Sequence, residues 1–122
     1  MYTYSSFPSY QSSTEQYGAC STGSSFYSKI VGVTFNGRQQ YISQLKAGEE
    51  LTLKREPGNQ YDRNAIALYD SRGNQLGYIS RALASDMAPM IDNGSRYRIC
   101  VSDVTGGDGY CYGANISICR LN

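Results

Sequence analysis

Turn signals recur at short intervals from residue 36 onward, and they leave little room for long helices. Asn36-Gly37, Ala47-Gly48, Pro57-Gly58, Ser71-Arg72-Gly73-Asn74, Asn93-Gly94 and Gly106-Gly107-Asp108-Gly109 each mark a reversal of the chain. Between them lie short runs rich in β-branched or alternating residues, which read as strands at 29–35, 49–54, 65–70, 74–79, 96–104 and 110–119. The runs 65–70 and 74–79 form a hairpin whose three-residue loop ends in Gly73, suited to the left-handed position of a bulged turn. One stretch, 81–91, reads as helix. Leu83, Met87 and Ile91 share a face there, Ser80 stands as N-cap, and Pro89 predicts an interruption. Six short strands with one helical segment between the fourth and fifth predict a mainly β fold, a small closed or partly open barrel.

The last two strands carry a register that can be predicted. Tyr97, Ile99 and Val101 on one, and Tyr110, Tyr112, Ala114, Ile116 and Ile118 on the other, are the inward sets. Residues facing one another across an antiparallel pair share a face of the sheet. That condition is met with Val101 opposite Ala114, Ile99 opposite Ile116 and Tyr97 opposite Ile118, leaving Gly106–Gly109 as the turn.

Charge and aliphatic content divide the chain. Residues 1–29 hold nine Ser, three Thr and five Tyr, with Glu15 the one acid and Lys29 the one base. With almost nothing aliphatic to bury, such a segment does not offset its own ordering entropy, so 1–29 is expected to be a flexible tail. Residues 30–122 carry nearly all the Val, Ile and Leu and form the domain. The whole chain has 11 Lys and Arg against 10 Asp and Glu, so its net charge of +1 names no partner.

Several chemistries are excluded by residue type. The chain has no histidine, which removes Ser-His and Cys-His nucleophile pairs and His-bearing metal sites. Cys20, Cys100, Cys111 and Cys119 form no C-x-x-C pair, and no two of the last three can meet within the predicted hairpin. All four are expected to be free structural thiols, which points to a reducing, cytoplasmic setting. The start MYTYSSFPSY has neither the basic residues nor the apolar run of a signal peptide, and no apolar stretch reaches the length of a membrane span. No catalytic residue, metal or cofactor is expected.

The densest segment is Arg55-Glu56-Pro57-Gly58-Asn59-Gln60-Tyr61-Asp62-Arg63-Asn64-Ala65-Ile66. Taken alone it is a strand end, a Pro-Gly turn, a polar loop and a new strand. Asp62 and Asn64 suit such a loop because their side chains satisfy free backbone N–H groups, and Tyr61 can pack over it. The segment closely resembles the signature R-x-P-x-N-P-Y-D-x-N-A-I of the HIRAN domain. The resemblance extends to Val31-Gly32-Val33 upstream, and downstream to Gly73-Asn74-Gln75-Leu76-Gly77-Tyr78-Ile79-Ser80-Arg81 and Ala88-Pro89-Met90-Ile91-Asp92. Gln60 replaces the usual proline, which is expected to loosen the turn before Tyr61.

The resemblance implies a six-stranded barrel related to the OB-fold, and binding of the 3′-hydroxyl end of single-stranded DNA. It places Asp62 where a carboxylate accepts from the terminal hydroxyl and repels a 3′-phosphate. Tyr61 falls where an aromatic stacks on the terminal base, and Phe35 on a second stacking position. Arg81 falls on a basic position suited to a phosphate, with Asn59 and Tyr78 lining the same region. Thr34 stands where well-studied members have an arginine that reaches the DNA backbone, so backbone attraction is expected to be small. The ATPase motor and zinc module of larger members have no counterpart, since G-x-x-x-x-G-K-[ST] is absent. The expected role is a DNA-binding module of repair or defence, not an enzyme, nucleoid-associated when bound. The alternative is a barrel that docks a separately encoded nuclease or helicase through its groove or an edge strand.

Overall fold

A computed structural model describes residues 25–121. Six antiparallel strands form one sheet: β1 Ser25–Lys29, β2 Glu50–Arg55, β3 Ile66–Tyr69, β4 Gln75–Tyr78, β5 Tyr97–Gly107 and β6 Tyr110–Arg120, in the order β1-β6-β5-β2-β3-β4. Helix α1 (Gln39–Ile42) lies between β1 and β2, and α2 (Arg81–Asp92) between β4 and β5. The six strands and the helix after the fourth match the expected OB-like barrel. The one-turn α1 is an addition that four residues are too few to reveal by periodicity.

The sheet curls until its two edges meet. Just past β1, Val31 and Tyr78 of β4 exchange two backbone hydrogen bonds of 2.9 Å. The chains come close because Gly77 has no side chain: a Cβ there would lie 2.3 Å from the Val31 carbonyl oxygen, at a φ of +152°. Inside the curl sits a single core, built on Ile42, Ile66, Leu68, Leu76, Ile99, Ile116 and Ile118, all fully buried. Helix α1 supplies Ile42, and α2 supplies Ala84, Met87 and Ala88, with Leu83 and Ile91 on the flanks of that stripe.

Several local expectations are corrected. The strand expected at 29–35 lies earlier, because Ser25–Lys29 pair with Asn115–Cys119 of β6. The rest of the expected tail, 1–24, lies outside the described residues. The β5–β6 register is shifted by two residues, with Val101 opposite Ile116, Ile99 opposite Ile118 and Tyr97 opposite Arg120. The reason is a two-residue Asp108-Gly109 turn, with φ of 54° and 93°, in place of a four-residue one; the irregularities after Val101 and Thr105 offset each other. A shift of two keeps the same residues inward, except that Tyr110 at the hairpin end is exposed. Ser80 sits at the start of α2 but its side chain makes no capping bond. Helix α2 runs unbroken through Pro89; the hydrogen bond this proline cannot make would have gone to the carbonyl of Ser85, which is on the exposed face.

The β3–β4 hairpin is as expected, with Gly73 at φ +88°. Its anchor is the buried Asp70. Burial pushes this carboxyl up, but hydrogen bonds from the Asn74 backbone and side chain and the Arg72 backbone, aided by Arg72's charge, outweigh it and leave it below its usual range. Cys100 and Cys111 are free, as expected. Burial, reinforced by Glu50 and opposed by Arg98, pushes the Cys100 thiol up to about 11. Cys119 is disulfide-bonded, against the expectation of four free thiols. It lies opposite Ser25 of β1, a neighbour that pairing within the last hairpin does not bring in. Among the described residues no helix is long and apolar enough to cross a membrane, and no group of His, Cys, Asp and Glu is arranged to hold a metal ion.

If the Val31–Tyr78 closure depends on the missing Cβ, Gly77→Ala should cost about 1–3 kcal/mol of stability. Gly58→Ala, with open space around it, should be near neutral. Urea melts of both variants check this; equal midpoints would contradict it.

Candidate functional site

The closure brings two distant segments side by side. On one side the chain leaves β1 through Val31 and Gly32 and reverses at the Asn36-Gly37 turn, where the Arg38 amide donates to the Phe35 carbonyl at 3.0 Å. Gln39 holds this segment down. Its amide nitrogen Nε2 donates to the carbonyls of Val33 and Tyr112, both at 2.9 Å, and its Oε1 accepts from the Tyr112 amide at 2.7 Å. On the other side lie the 56–65 loop, Tyr78 at the end of β4 and Arg81 at the start of α2.

The 56–65 loop is organised by Asn59. Its Oδ1 accepts from the amides of Tyr61 (2.9 Å) and Asp62 (3.1 Å), and its Nδ2 donates to Glu56 Oε1 at 3.0 Å. These bonds give the turn before Tyr61 an Asx-type geometry. Glu56 Oε1 also accepts from the Tyr78 hydroxyl at 2.8 Å, tying the loop to β4. At the base of the loop, Arg55 donates to the Ala65 carbonyl at 2.8 Å and makes a paired contact with Asp92 of α2, at 3.0 and 3.1 Å. The hydrogen bond from Arg55, opposed by desolvation and helped by its charge, lowers the Asp92 carboxyl below its usual range.

All six residues expected at a site — Phe35, Asn59, Tyr61, Asp62, Tyr78 and Arg81 — line one open groove of about 660 Å³. A second depression of about 540 Å³ continues along Asn59–Asn64, Arg81 and Ser85. Two aromatic rings in the groove are unusually bare: Tyr61 is 78% and Phe35 64% exposed. The Tyr61 backbone is used, its carbonyl accepting from Arg81 at 3.2 Å, but its hydroxyl has no partner among the described residues. Asp62 is divided between two tasks. Its Oδ1 accepts from the Asn64 amide at 2.9 Å, whereas Oδ2 faces Arg81 Nε at a loose 3.9 Å. The Arg81 side chain is 80% exposed, so this pair contributes little stability.

Two residues, one behind the loop and one in the groove wall, have no sequence signal. Glu56 is the acceptor that joins Asn59 to Tyr78. Arg38 is buried within the groove wall, with its Cζ 5.5 Å from the centre of the Tyr78 ring. Thr34 is exposed and does not line the groove.

The family model of the HIRAN domain matches residues 23–114. The helicase-like transcription factor of Oryctolagus cuniculus is 40% identical over 57 residues, which are 47% of this chain and 6% of that protein. The chain therefore spans a small part of the relatives it matches. A crystal structure of a Lactobacillus plantarum protein is similar at a TM-score of 0.62 and 27% identity, covering 75% of this chain and 90% of the other. The NMR structure of the HLTF HIRAN domain in its DNA-bound conformation is similar at a TM-score of 0.56 and 26% identity, covering 79% and 73%.

Asn59 is the organising residue of the loop, so Asn59→Ala should cost about 0.5–1.5 kcal/mol for each hydrogen bond lost. It should also speed amide hydrogen exchange at Tyr61 and Asp62 while leaving Leu68 in β3 protected. Unchanged exchange at 61 and 62 would show that the loop is held by something else.

Proposed function

Because the chain belongs to the HIRAN domain family, we propose that it is a non-catalytic module whose groove binds the 3′-hydroxyl end of single-stranded DNA. The observation that carries this reading is the pairing of two bare aromatic rings with an oriented carboxylate in one groove. Exposed rings of this size cost free energy in water, and base stacking offers each a partner. Tyr61 takes the terminal base and Phe35 the next. The Asn64 amide fixes the Asp62 carboxylate through Oδ1, so Oδ2 is left as acceptor for the terminal hydroxyl. A phosphate in that place would meet a like charge. The DNA-bound conformation of the similar HLTF domain supports the class of ligand. The exposed arginines near the end site, Arg63 and Arg81, are solvated and screened, so stacking outweighs charge here.

Labelled single strands ending in 3′-hydroxyl or 3′-phosphate test the reading, and the 3′-hydroxyl strand is expected to bind more tightly. Asp62→Asn keeps an acceptor for the Asn64 amide, so it should fold while narrowing the gap between the two ends. Tyr61→Ala should lose about 1–3 kcal/mol of binding, and Tyr61→Phe should be nearly silent because the hydroxyl has no partner to lose. Binding of neither strand would favour the alternative, a groove that docks a nuclease or helicase partner.

A further inference from the structure

Among the described residues two charged side chains are buried, Asp70 and Arg38. Asp70 is explained, since its carboxylate accepts three hydrogen bonds inside its own hairpin. Arg38 is not. It is 7% exposed, its Nη1 donates to the Gly32 carbonyl at 2.7 Å, and no other side-chain hydrogen bond or carboxylate partner serves it among the described residues. A guanidinium carries five N–H donors; those of Arg38 beyond Nη1 have no protein acceptor among the described residues and are not sealed from solvent, so they open to the groove. A buried cation without a counter-charge is costly to keep. The Tyr78 ring face offsets part of that cost. Tyr78 in turn donates its hydroxyl to Glu56, which sets the orientation of the ring that Arg38 lies over.

Its position gives the unpaired charge a use. Arg38 lines the same groove as Phe35, Tyr61 and Asp62. We propose that Arg38 is an anion site in the groove wall, and that its occupant is a backbone phosphate of the strand whose end lies at Tyr61 and Asp62. The proposal rests on the reading of the groove as a single-strand site. A fixed planar guanidinium suits a phosphate because two parallel N–H groups can reach two of its oxygens. It also differs in kind from Arg81, which is solvated and already shared between Asp62 and the Tyr61 carbonyl. Arg38 reaches the groove from the entry to α1, the residue before Gln39.

The test uses the whole wild-type chain and a 3′-hydroxyl single strand in which each of the last three linkages is replaced, one at a time, by an uncharged methylphosphonate. Neutralising one particular linkage should weaken binding about tenfold or more, as expected for a lost charged hydrogen bond, and the others should matter little. Arg38→Gln and Arg38→Lys should lose a similar factor on the natural strand and should no longer distinguish that linkage. The slope of log affinity against log salt should flatten by about 0.7 in Arg38→Gln. Wild-type binding that ignores every neutralised linkage overturns the anion site and leaves the single-strand reading intact. A folded Arg38→Gln variant with wild-type affinity does the same. If Arg38→Gln does not fold, Arg38→Lys is compared with wild type and with Arg81→Gln on the linkage series: a linkage whose effect vanishes only in the Arg81 variant overturns the assignment to Arg38. Failure of the natural strand to bind at all overturns the single-strand reading, and the anion site with it.

Discussion

Two backbone hydrogen bonds, exchanged between Val31 and Tyr78, hold together everything that makes this barrel a site. Without them β1 and β4 are the open edges of a curled sheet. With them, the segment carrying Phe35 and Arg38 faces the segment carrying Tyr61, Asp62 and Arg81. The closure has a narrow steric margin, because the Val31 carbonyl occupies the space a side chain at residue 77 would need. A glycine in the middle of a short strand weakens that strand in isolation. Here it is the condition for the edges to meet, so local propensity gives way to tertiary geometry.

The groove's chemistry is shaped by how its polar groups are already committed. Asn59 spends both ends of its amide on the loop, and Glu56 accepts from Asn59 and Tyr78 together. Asp62 gives one oxygen to the loop and keeps the other toward the groove. The loop interpretation of Asp62 and the ligand interpretation are therefore compatible, since each uses a different oxygen. The aromatic rings are the reverse case. Tyr61 and Phe35 serve no visible packing purpose, and their exposure is what a stacking surface requires.

What could be read from the sequence was whatever is local. The turn dipeptides and the runs between them predict five of the six strands closely, because each hairpin is encoded within a few residues. The 59–62 segment is legible for the same reason: its Asx geometry is set by consecutive residues. Strand β1 was not legible, since Ser25–Lys29 carry one partly buried ring, Phe26, and become a strand by pairing with β6. The β5–β6 register differs from the expected one because Gly106-Gly107-Asp108-Gly109 looks locally like one long turn, whereas Asp108-Gly109 alone makes it. Arg38 was invisible as a site residue, because its burial and its approach to Tyr78 arise from a turn and a closure far apart in sequence. The bond at Cys119 escaped notice for a related reason, its surroundings lying across β1 and not within the hairpin.

The central claim is that one groove, assembled by barrel closure, is the binding surface. Amide chemical shifts of the isotopically labelled chain, followed during titration with a short 3′-hydroxyl single strand, test it most directly. The account predicts that the largest changes fall together on three stretches, Gly32–Arg38, Asn59–Asn64 and Tyr78–Arg81. Changes centred on the β5–β6 hairpin end around Tyr110, with those three stretches silent, would contradict it.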